Sequence, residues 1–334
     1  MNKELFSDQY LKFESICKKI AFNKEEVEMV KKIVKRVVLI AGGSGLIGQE
    51  VQKELIKCGH EVRILTRDEN PSAPFFHWNP KKKEIDREAI KGVQVIINLA
   101  GAGIADKRWS DKRKEVIFNS RIKPTQFLHG ISQNIPSLVQ YISASGITCY
   151  GHVDRIKIYK EDDGLGCDFL STVVKRWEEV ADLFSPQQKV AKIRTGVVLS
   201  EKGGALPKIS NIIKNNLGSP LGTGEQIMPW ISLKDIARIY AHAVNEQLDG
   251  EYNACSSNIS NENFTKAVAD KLEKKIWLPK VPTFALNLAL GEMASVVLEG
   301  VKVDNSKIIQ TGFEFKHKTI NQVLTFIYDK NEEG

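Results

Sequence analysis

The clearest pattern in the chain is a run of apolar residues from Val37 to Ala41 that leads directly into a glycine-rich turn ending at Gly48. A run of β-branched residues and leucine without polar interruption is typical of a strand buried on both faces. After the turn, Val51 and Leu55 recur at helical spacing. The pattern therefore predicts a strand, a tight turn and a helix in succession.

Further apolar runs, separated by segments with helical periodicity, continue to about residue 200. The predicted strands cover residues 61–65, 93–99, 139–145 and 189–199. Alternating strands and helices indicate an α/β fold with a doubly wound parallel sheet, and we predict a Rossmann domain over residues 36–200. Glycine and proline then become frequent, and residues 201–334 are predicted to form a smaller mixed α/β substrate lobe.

The first 35 residues have a different pattern, with apolar residues at helical spacing and lysines and glutamates between them. They predict a helical N-terminal extension over residues 1–35 that packs on the core or on a partner subunit. Binding to a membrane surface is the alternative for this segment.

The turn contains three glycines at regular spacing, Gly42, Gly45 and Gly48. A glycine turn between a strand and a helix allows a pyrophosphate to approach the helix N-terminus, where unpaired N–H groups and the helix dipole attract anions. The sequence therefore predicts dinucleotide binding. A purely structural glycine turn is the alternative.

The second predicted strand is followed by Thr66 and Arg67. An acid near this point of a Rossmann fold binds the ribose hydroxyls of NAD, whereas an arginine accommodates the 2′-phosphate of NADP. Asp68 supplies an acid, but the arginine comes first, so we predict NADP rather than NAD. In the alternative interpretation, Arg67 is a surface residue at a strand end.

Composition limits the remaining possibilities. The 334 residues carry a net charge of +7, but the lysines are spread along the chain, so a solvated basic surface is favoured over nucleic-acid binding. The five cysteines form no C-x-x-C pair, so we expect no metal site and no disulfide framework. No apolar run reaches the roughly 18–20 residues that cross a bilayer. Acids near the N-terminus argue against a targeting peptide, and we expect a cytoplasmic protein without a membrane partner.

Several motifs, taken in their order, resemble a known family. They are Ala41–Gly48, Asn98–Gly101, Ser120–Arg121, Trp177–Glu178, Arg194–Leu199, Leu217–Gly224, Pro229–Ile231 with Asp235, and Gly312–Phe313. Residues 36 to about 330 resemble the epimerase-family branch of atypical extended short-chain dehydrogenase/reductases. Residues 279–315 resemble the C-terminal domain of unknown function that is typical of this branch.

The resemblance implies an NAD(P)-binding Rossmann domain and a substrate that is generally unassigned. We further expect a small-molecule substrate as partner, and a homodimer as the assembly. Carried over residue by residue, it implies a cofactor site made of Gly42, Ser44, Gly45, Leu46, Ile47, Gly48, Thr66, Arg67, Asn98, Leu99, Ala100, Gly101, Glu115 and Arg121. It also implies that Gly222 and Trp230 lie on the substrate side.

Extended enzymes of this superfamily use a serine or threonine, a tyrosine, and a lysine four residues after the tyrosine. Ser145 stands at the strand end expected for the serine, while the helix reads Ser171-Thr-Val-Val-Lys175. The lysine is retained in this register and Ser171 replaces the tyrosine, whereas a shift of one residue would select Arg176. Tyr150 or Tyr159 from the preceding loop could supply a phenol instead.

The family's usual Trp-Ile-His also differs here, because Ser232 stands in the histidine position. Two functions therefore stay open. One is an NADP-dependent oxidoreductase or epimerase acting on a small polar substrate, sugar-like or carbonyl. The other is a catalytically impaired dinucleotide-binding sensor or scaffold protein.

Overall fold

The structure, a computed structural model, describes residues 35–151 and 156–329. The chain divides into two units, residues 1–35 and 36–334. The helical extension predicted for residues 1–35 lies outside the described residues, apart from Lys35 itself.

The strands define a large sheet, a small sheet and a short two-stranded pair. In chain order they are β1 Val37–Ala41, β2 Glu61–Thr66, β3 Phe75–Asn79, β4 Glu84–Ile85, β5 Val95–Asn98, β6 Gln140–Gly146, β7 Ile158–Tyr159, β8 Lys189–Thr195, β9 Val197–Leu199, β10 Ile227–Ser232, β11 Gly250–Ala254, β12 Ser257–Ser260 and β13 Lys302–Val303. The large sheet has eight strands in the order β11-β8-β6-β5-β1-β2-β3-β4. Only the β3–β4 pair in this sheet is antiparallel.

Helices lie on both faces of the large sheet. In chain order the helices are α1 Leu46–Lys57, α2 Arg87–Ile90, α3 Asp111–Ser132, α4 Phe169–Ala181, α5 Ala205–Lys214, α6 Leu233–Asn245, α7 Asn261–Lys271, α8 Thr283–Leu290, α9 Ser295–Leu298, α10 Ser306–Gln310 and α11 Ile320–Tyr328. Short 3₁₀ turns follow β6, α4 and α8.

Strand β1 shows why the apolar run is continuous. Val38 and Ile40 belong to the core on the side of α1 and α6, whereas Leu39 belongs to the core on the side of α3. All three side chains are fully buried. A strand covered by helices on both faces needs apolar residues at every position. The predicted doubly wound α/β fold is confirmed.

The smaller lobe contains the three-stranded sheet β12-β10-β9, which mixes parallel and antiparallel pairs. Helices α5, α7 and α11 enclose its core around Trp230 and Phe264. The predicted mixed α/β lobe is therefore present.

The domain boundary predicted at residue 200 is wrong. Strand β11 pairs in parallel with β8 at the edge of the large sheet, and α6 packs against α1. The chain thus leaves the sheet after β8 and returns to it for one more helix and strand. The glycines and prolines after residue 200 indicated loops, but they could not show that residues 233–254 return to the first domain.

Two local features differ from the predicted strands. Residues 75–85 form the β3–β4 hairpin, in a segment for which no strand is predicted. The predicted strand over residues 189–199 is divided at Gly196 into β8 and β9. A Cβ atom on Gly196 would lie 2.8 Å from the carbonyl oxygen of Pro229, so the backbone passes too closely there for any side chain.

Candidate functional site

The glycine turn after β1 lies at the carboxyl edge of the sheet, between α1 and the loop that follows β5. Gly42 has a φ of +78°, and a Cβ there would lie 2.7 Å from the carbonyl carbon of Leu99. A Cβ on Gly48 would lie 2.5 Å from the carbonyl oxygen of Gly42. Gly42 therefore permits close packing of the turn against the loop after β5, and Gly48 permits close packing of α1 against the turn.

Gly45 differs from its neighbours because its Cβ position is nearly open, with a single contact of 3.3 Å to the oxygen of Gly42. It is the N-cap of α1, has extended backbone and provides no side-chain cap. The first turn of α1 contains no acidic residue, and its first N–H groups have no acceptor within the helix. This open, positive helix end fits a pyrophosphate group.

Ser44, Leu46 and Ile47 lie at this helix end, and Ser44 is exposed. The carbonyl oxygen of Ser44 accepts a hydrogen bond of 2.9 Å from the Gln49 side chain, which holds the turn against the helix. The turn is thus fixed by its own helix before any ligand arrives.

Asn98 lies at the end of β5 and is fully buried. Its amide nitrogen donates to the hydroxyls of Thr125 and Tyr141, at 3.0 and 2.9 Å, and its oxygen accepts from the Ala100 N–H at 3.1 Å. Asn98 therefore positions the Leu99–Gly101 backbone against the glycine turn rather than facing the open site itself.

Thr66 and Arg67 lie at the carboxyl end of β2, the parallel neighbour of β1. The Thr66 hydroxyl donates to the Asp68 carboxylate at 3.0 Å. Arg67 is exposed and forms no ion pair with any residue that the structure describes. The Asp68 carboxylate is therefore hydrogen-bonded to Thr66, while the Arg67 guanidinium is accessible to a ligand.

Arg121, on α3, is half-buried against Gly101, and its guanidinium lies 5.2 Å from the centre of the Trp177 ring. It donates to the carbonyl oxygen of Ile117 at 2.9 Å and forms no ion pair among residues 35–151 and 156–329. Burial, together with the nearby charge of Arg113, lowers the pKa of Arg121 to about 10. An anionic ligand at this position would relieve that unfavourable environment.

Glu115, the other α3 residue implied by the resemblance, is exposed and accepts a hydrogen bond of 3.2 Å from Asn119 on the same helix. This carboxylate therefore has no contact within the described protein that would indicate a role in cofactor binding.

Ser145 belongs to a buried polar network rather than to an open surface. Its hydroxyl donates to Glu178 Oε1 at 2.5 Å. Arg194 binds the same carboxylate through two hydrogen bonds, at 2.9 and 2.8 Å. All three side chains are buried, so charge and hydrogen bonding are satisfied within the protein.

Ser145, Ser171 and Lys175 are not joined by hydrogen bonds in the described part of the chain. Ser171 is fully buried, and its hydroxyl donates to the carbonyl oxygen of Asp168 at 2.9 Å. Lys175 is exposed. The α4 residue that approaches the end of β6 is Val174, whose Cγ2 atom lies 3.9 Å from the Cβ position of Gly146. The helix thus packs an apolar side chain against the end of the strand.

Both alternative tyrosines are buried. The Tyr150 hydroxyl donates to Asn253 at 2.7 Å and accepts from Arg194 at 3.1 Å, and burial raises its pKa. Tyr159 is buried in the same apolar cluster. Both side chains serve the core.

Sequence reasoning missed Thr148, in the 3₁₀ turn that follows β6. Its side chain is half-buried, and its hydroxyl oxygen lies 3.4 Å from the Cβ position of Gly146. This hydroxyl has no hydrogen-bond partner within the described part of the chain. Its place in the Gly146–Gly151 turn is the only sequence signal that could have indicated it.

The two predicted substrate-side residues have different environments. Trp230 is 1% exposed in the core of the smaller lobe, so its assignment to a substrate surface is corrected. Gly222 has a φ of +55°, and a Cβ there would lie 2.8 Å from the Leu298 side chain. Gly222 therefore permits close packing with the segment after α8.

The altered Trp-Ile-His position also has a structural explanation. His317 Nδ1 lies 3.0 Å from the Ser232 hydroxyl and 3.2 Å from Asp235 Oδ2. An imidazole thus reaches this position from a distant part of the chain. Serine and aspartate contact the same ring nitrogen, whereas a Ser–His–Asp relay needs both nitrogens, so this cluster is not a hydrolytic triad.

Within residues 35–151 and 156–329, no group of three His, Cys, Asp or Glu side chains is placed to hold a metal ion. In the same part of the chain, every helix is too short or too polar to cross a bilayer.

The fold and the glycine turn define a Rossmann-type protein of the extended short-chain dehydrogenase/reductase class. Residues 38–166 match the NAD dependent epimerase/dehydratase family, and residues 281–327 match a domain of unknown function, DUF1731. An epimerase family protein of Mycobacterium leprae is 33% identical over 299 residues, covering 87% of this chain and 95% of that protein. The chain belongs to this epimerase family, as the sequence motifs predicted.

Two further relatives extend the comparison. The Arabidopsis thaliana epimerase family protein SDR39U1 homolog, named as chloroplastic, is 33% identical over 304 residues, covering 87% of this chain and 86% of that protein. The crystal structure of the human epimerase family protein SDR39U1 (isoform 2) with NADPH has a TM-score of 0.80 at 27% identity, covering 88% of this chain and 99% of that chain. The cytoplasmic location stays a prediction.

Proposed function

We propose that this protein binds NADP(H) and uses it in an oxidoreductase or epimerase reaction on a small polar substrate, sugar-like or carbonyl. The observation that carries the proposal is the open helix end at Gly45 with the exposed Arg67 at the neighbouring strand end. The human relative solved with NADPH supports the choice of cofactor.

Each residue of the site has a specific task in this proposal. The N–H groups at the start of α1 bind the pyrophosphate, and Arg67 pairs with the 2′-phosphate. Arg121 gives a second cation for an anionic oxygen of the ligand. The Thr148 hydroxyl orients the substrate oxygen and can donate a hydrogen bond to it. The bound nicotinamide supplies or accepts the hydride.

The cofactor assignment is tested by titrating NADPH and NADH into the wild type and two variants. We expect Arg67→Ala to weaken NADPH binding about ten- to a hundredfold, because a charge-assisted contact is lost, and to leave NADH binding unchanged. Arg87→Ala is the matched control, since Arg87 is also exposed but lies on α2. Equal affinity of the wild type for NADH and NADPH would contradict the assignment.

Turnover is tested with a panel of carbonyl compounds and nucleotide sugars, by following NADPH oxidation for reduction and the stereochemistry of the product for epimerisation, which consumes no NADPH. We expect Thr148→Val to lower kcat at least tenfold while NADPH affinity is retained. Thr172→Val is the control, because Thr172 is exposed on α4 and donates to Asp168 within its own helix. An unchanged kcat in Thr148→Val would remove Thr148 from the reaction.

A second candidate is a cofactor-binding sensor or scaffold without turnover. It is favoured by Val174 at the end of β6 and by the engagement of Ser145 with Glu178. NADPH binding with neither NADPH oxidation nor an epimerised product for any member of the panel, in a folded wild type, would favour this candidate.

A further inference from the structure

Two segments of the smaller lobe, residues 212–223 and 276–288, run side by side at the protein surface. The Trp277 indole donates to the carbonyl oxygen of Asn216 at 3.1 Å, and the Lys280 ammonium donates to that of Thr223 at 2.6 Å. Between these contacts, Leu221 forms a β-bridge with Val281. The two segments therefore form one continuous surface.

This surface carries large apolar side chains that the described protein does not cover. They are Ile212, Leu217, Trp277, Phe284 and Leu288, with exposed fractions of 51, 59, 68, 74 and 79%. Phe284 and Leu288 lie four residues apart on α8, which has no buried residue although six of its eight residues are apolar. A helix that is apolar on most sides and lacks a buried residue indicates a missing partner. We call these five residues the Trp277 surface.

Lysines border the Trp277 surface. Lys214 lies between Ile212 and Leu217, and Lys274 and Lys275 precede Trp277 in the chain. Lys214 and Lys275 are exposed, and none of the three lysines forms an ion pair with the described residues. Glu273 is the one acid in this stretch of residues 273–277. Apolar side chains and uncompensated cations thus occur together.

We propose that the Trp277 surface docks on an anionic lipid bilayer, so that the protein is a peripheral membrane protein. Tryptophan is suited to the bilayer interface, where its ring is buried and its N–H stays near polar groups. Lysines beside an apolar face attract acidic headgroups while their stems remain at the interface. This occupant requires no membrane-spanning helix.

The charges favour a bilayer over a second copy of the chain. A symmetric interface through this surface would bring the same lysines of two copies towards each other, whereas acidic headgroups neutralise them. The proposal departs from the sequence-based expectation that the protein has no membrane partner. This surface combines two segments that are distant in the chain, so it forms only on folding and leaves no pattern in the sequence.

The test is sedimentation of the full chain with vesicles of phosphatidylcholine alone or with 30% phosphatidylserine. We expect binding to the anionic vesicles, little binding to the neutral ones, and at least a tenfold loss of affinity in Trp277→Ser/Phe284→Ser/Leu288→Ser. The control Ile56→Ser/Val116→Ser/Leu183→Ser removes three exposed apolar side chains elsewhere and should bind like the wild type.

A second pair of variants tests the charges without changing the apolar residues. Lys214→Gln/Lys275→Gln should lose about fivefold in affinity for each lysine, whereas Lys81→Gln/Lys82→Gln, two exposed lysines elsewhere, should lose less. Tryptophan emission gives an independent signal. Trp277 is 68% exposed, so its emission should shift to shorter wavelength on vesicle binding.

Three results would overturn the proposal. One is absence of binding to anionic vesicles, and another is equal binding by the triple serine variant. The third is a dimer of the wild type in solution that the triple serine variant converts to a monomer, because the surface would then join two copies.

Discussion

Ser145 donates a hydrogen bond of 2.5 Å to Glu178, across the space between the end of β6 and α4. The same carboxylate is held by Arg194 in a paired arrangement, and all three groups are buried. A substrate oxygen that replaced Glu178 as the partner of Ser145 would leave part of a buried charge unsatisfied. Ser145, which resembles the catalytic serine of the family, therefore stabilises the core.

This arrangement predicts a large difference between two neighbouring glutamates on α4. Glu178→Ala should lower the free energy of unfolding by about 3–5 kcal/mol, because it leaves the Arg194 charge buried and unpaired. Glu179→Ala removes an exposed partner of Arg176 and should cost less than about 1 kcal/mol. Urea unfolding measures both values, and similar losses in the two variants would contradict this assignment.

The three glycines of the turn should respond differently to substitution. A Cβ on Gly45 has one neighbour within 4 Å, the Gly42 oxygen at 3.3 Å, so Gly45→Val should lose less stability than a change at Gly48. It should weaken NADPH binding at least tenfold, since the branched group occupies the approach of the pyrophosphate. Gly48→Ala should lose about 1–3 kcal/mol of stability, because its Cβ meets backbone at 2.5 Å.

Gly130 on α3 provides the control for these glycine substitutions. Its Cβ position has no neighbour within 4 Å. Gly130→Ala should therefore raise the free energy of unfolding by about 0.5–1 kcal/mol. Unfolding curves and NADPH titrations separate the three effects, and a Gly45→Val protein with wild-type affinity would argue against pyrophosphate binding at the turn.

Restoring a tyrosine at Ser171 should not create a catalytic acid. Ser171 is fully buried, so Ser171→Tyr must force a phenol into packed core and should lose at least about 1–3 kcal/mol of stability. Thr172→Tyr, one residue further along α4, is exposed and should be nearly neutral. A stable Ser171→Tyr variant that reduces carbonyl compounds would show that the side chain can reach the site.

Stability should fall in alkaline solution because buried thiols resist ionisation. Burial raises the pKa of Cys255 to about 12, from an ordinary value of 9.0. The unfolded chain therefore releases this proton first. The contribution of the Cys255 thiol to the free energy of unfolding is therefore present in full below pH 9. It is lost between pH 9 and pH 12, at about 1.4 kcal/mol per pH unit.

Urea unfolding between pH 8 and 10.5, under reducing conditions, measures this dependence. Cys255→Ala should make the decline with pH shallower. Cys167→Ala is the control, because Cys167 is exposed, and it should leave the slope unchanged. A slope in Cys255→Ala equal to that of the wild type would contradict the role of this thiol.

The strands of the Rossmann domain could be predicted because burial on both faces requires apolar residues throughout, as in β1. The return of β11 could not be predicted in the same way. Its residues Gly250–Ala254 include glycine, glutamate and asparagine, and Asn253 is nevertheless fully buried because Tyr150 and other parts of the chain satisfy it. Such long-range partners leave no local pattern.

In the candidate site, too, some features are encoded locally and others depend on distant parts of the chain. The glycine turn is encoded locally, so its geometry followed from spacing and from the strand and helix beside it. The face of α4 that meets β6 depends on how the helix is rotated, and a difference of one residue exchanges Lys175 for Val174. Neither that rotation nor the engagement of Ser145 could be inferred without the packed structure.

The position of β11 has a consequence for any attempt to divide the chain. A protein ending at residue 200 would lack the strand that pairs with β8, along all five positions from Ala191 to Thr195. It would expose the unpaired N–H and C=O groups of β8 at an open sheet edge, where another chain could pair with them. Strand β11 thus closes this edge of the sheet, and a chain cut at residue 200 would lose the strand that covers β8.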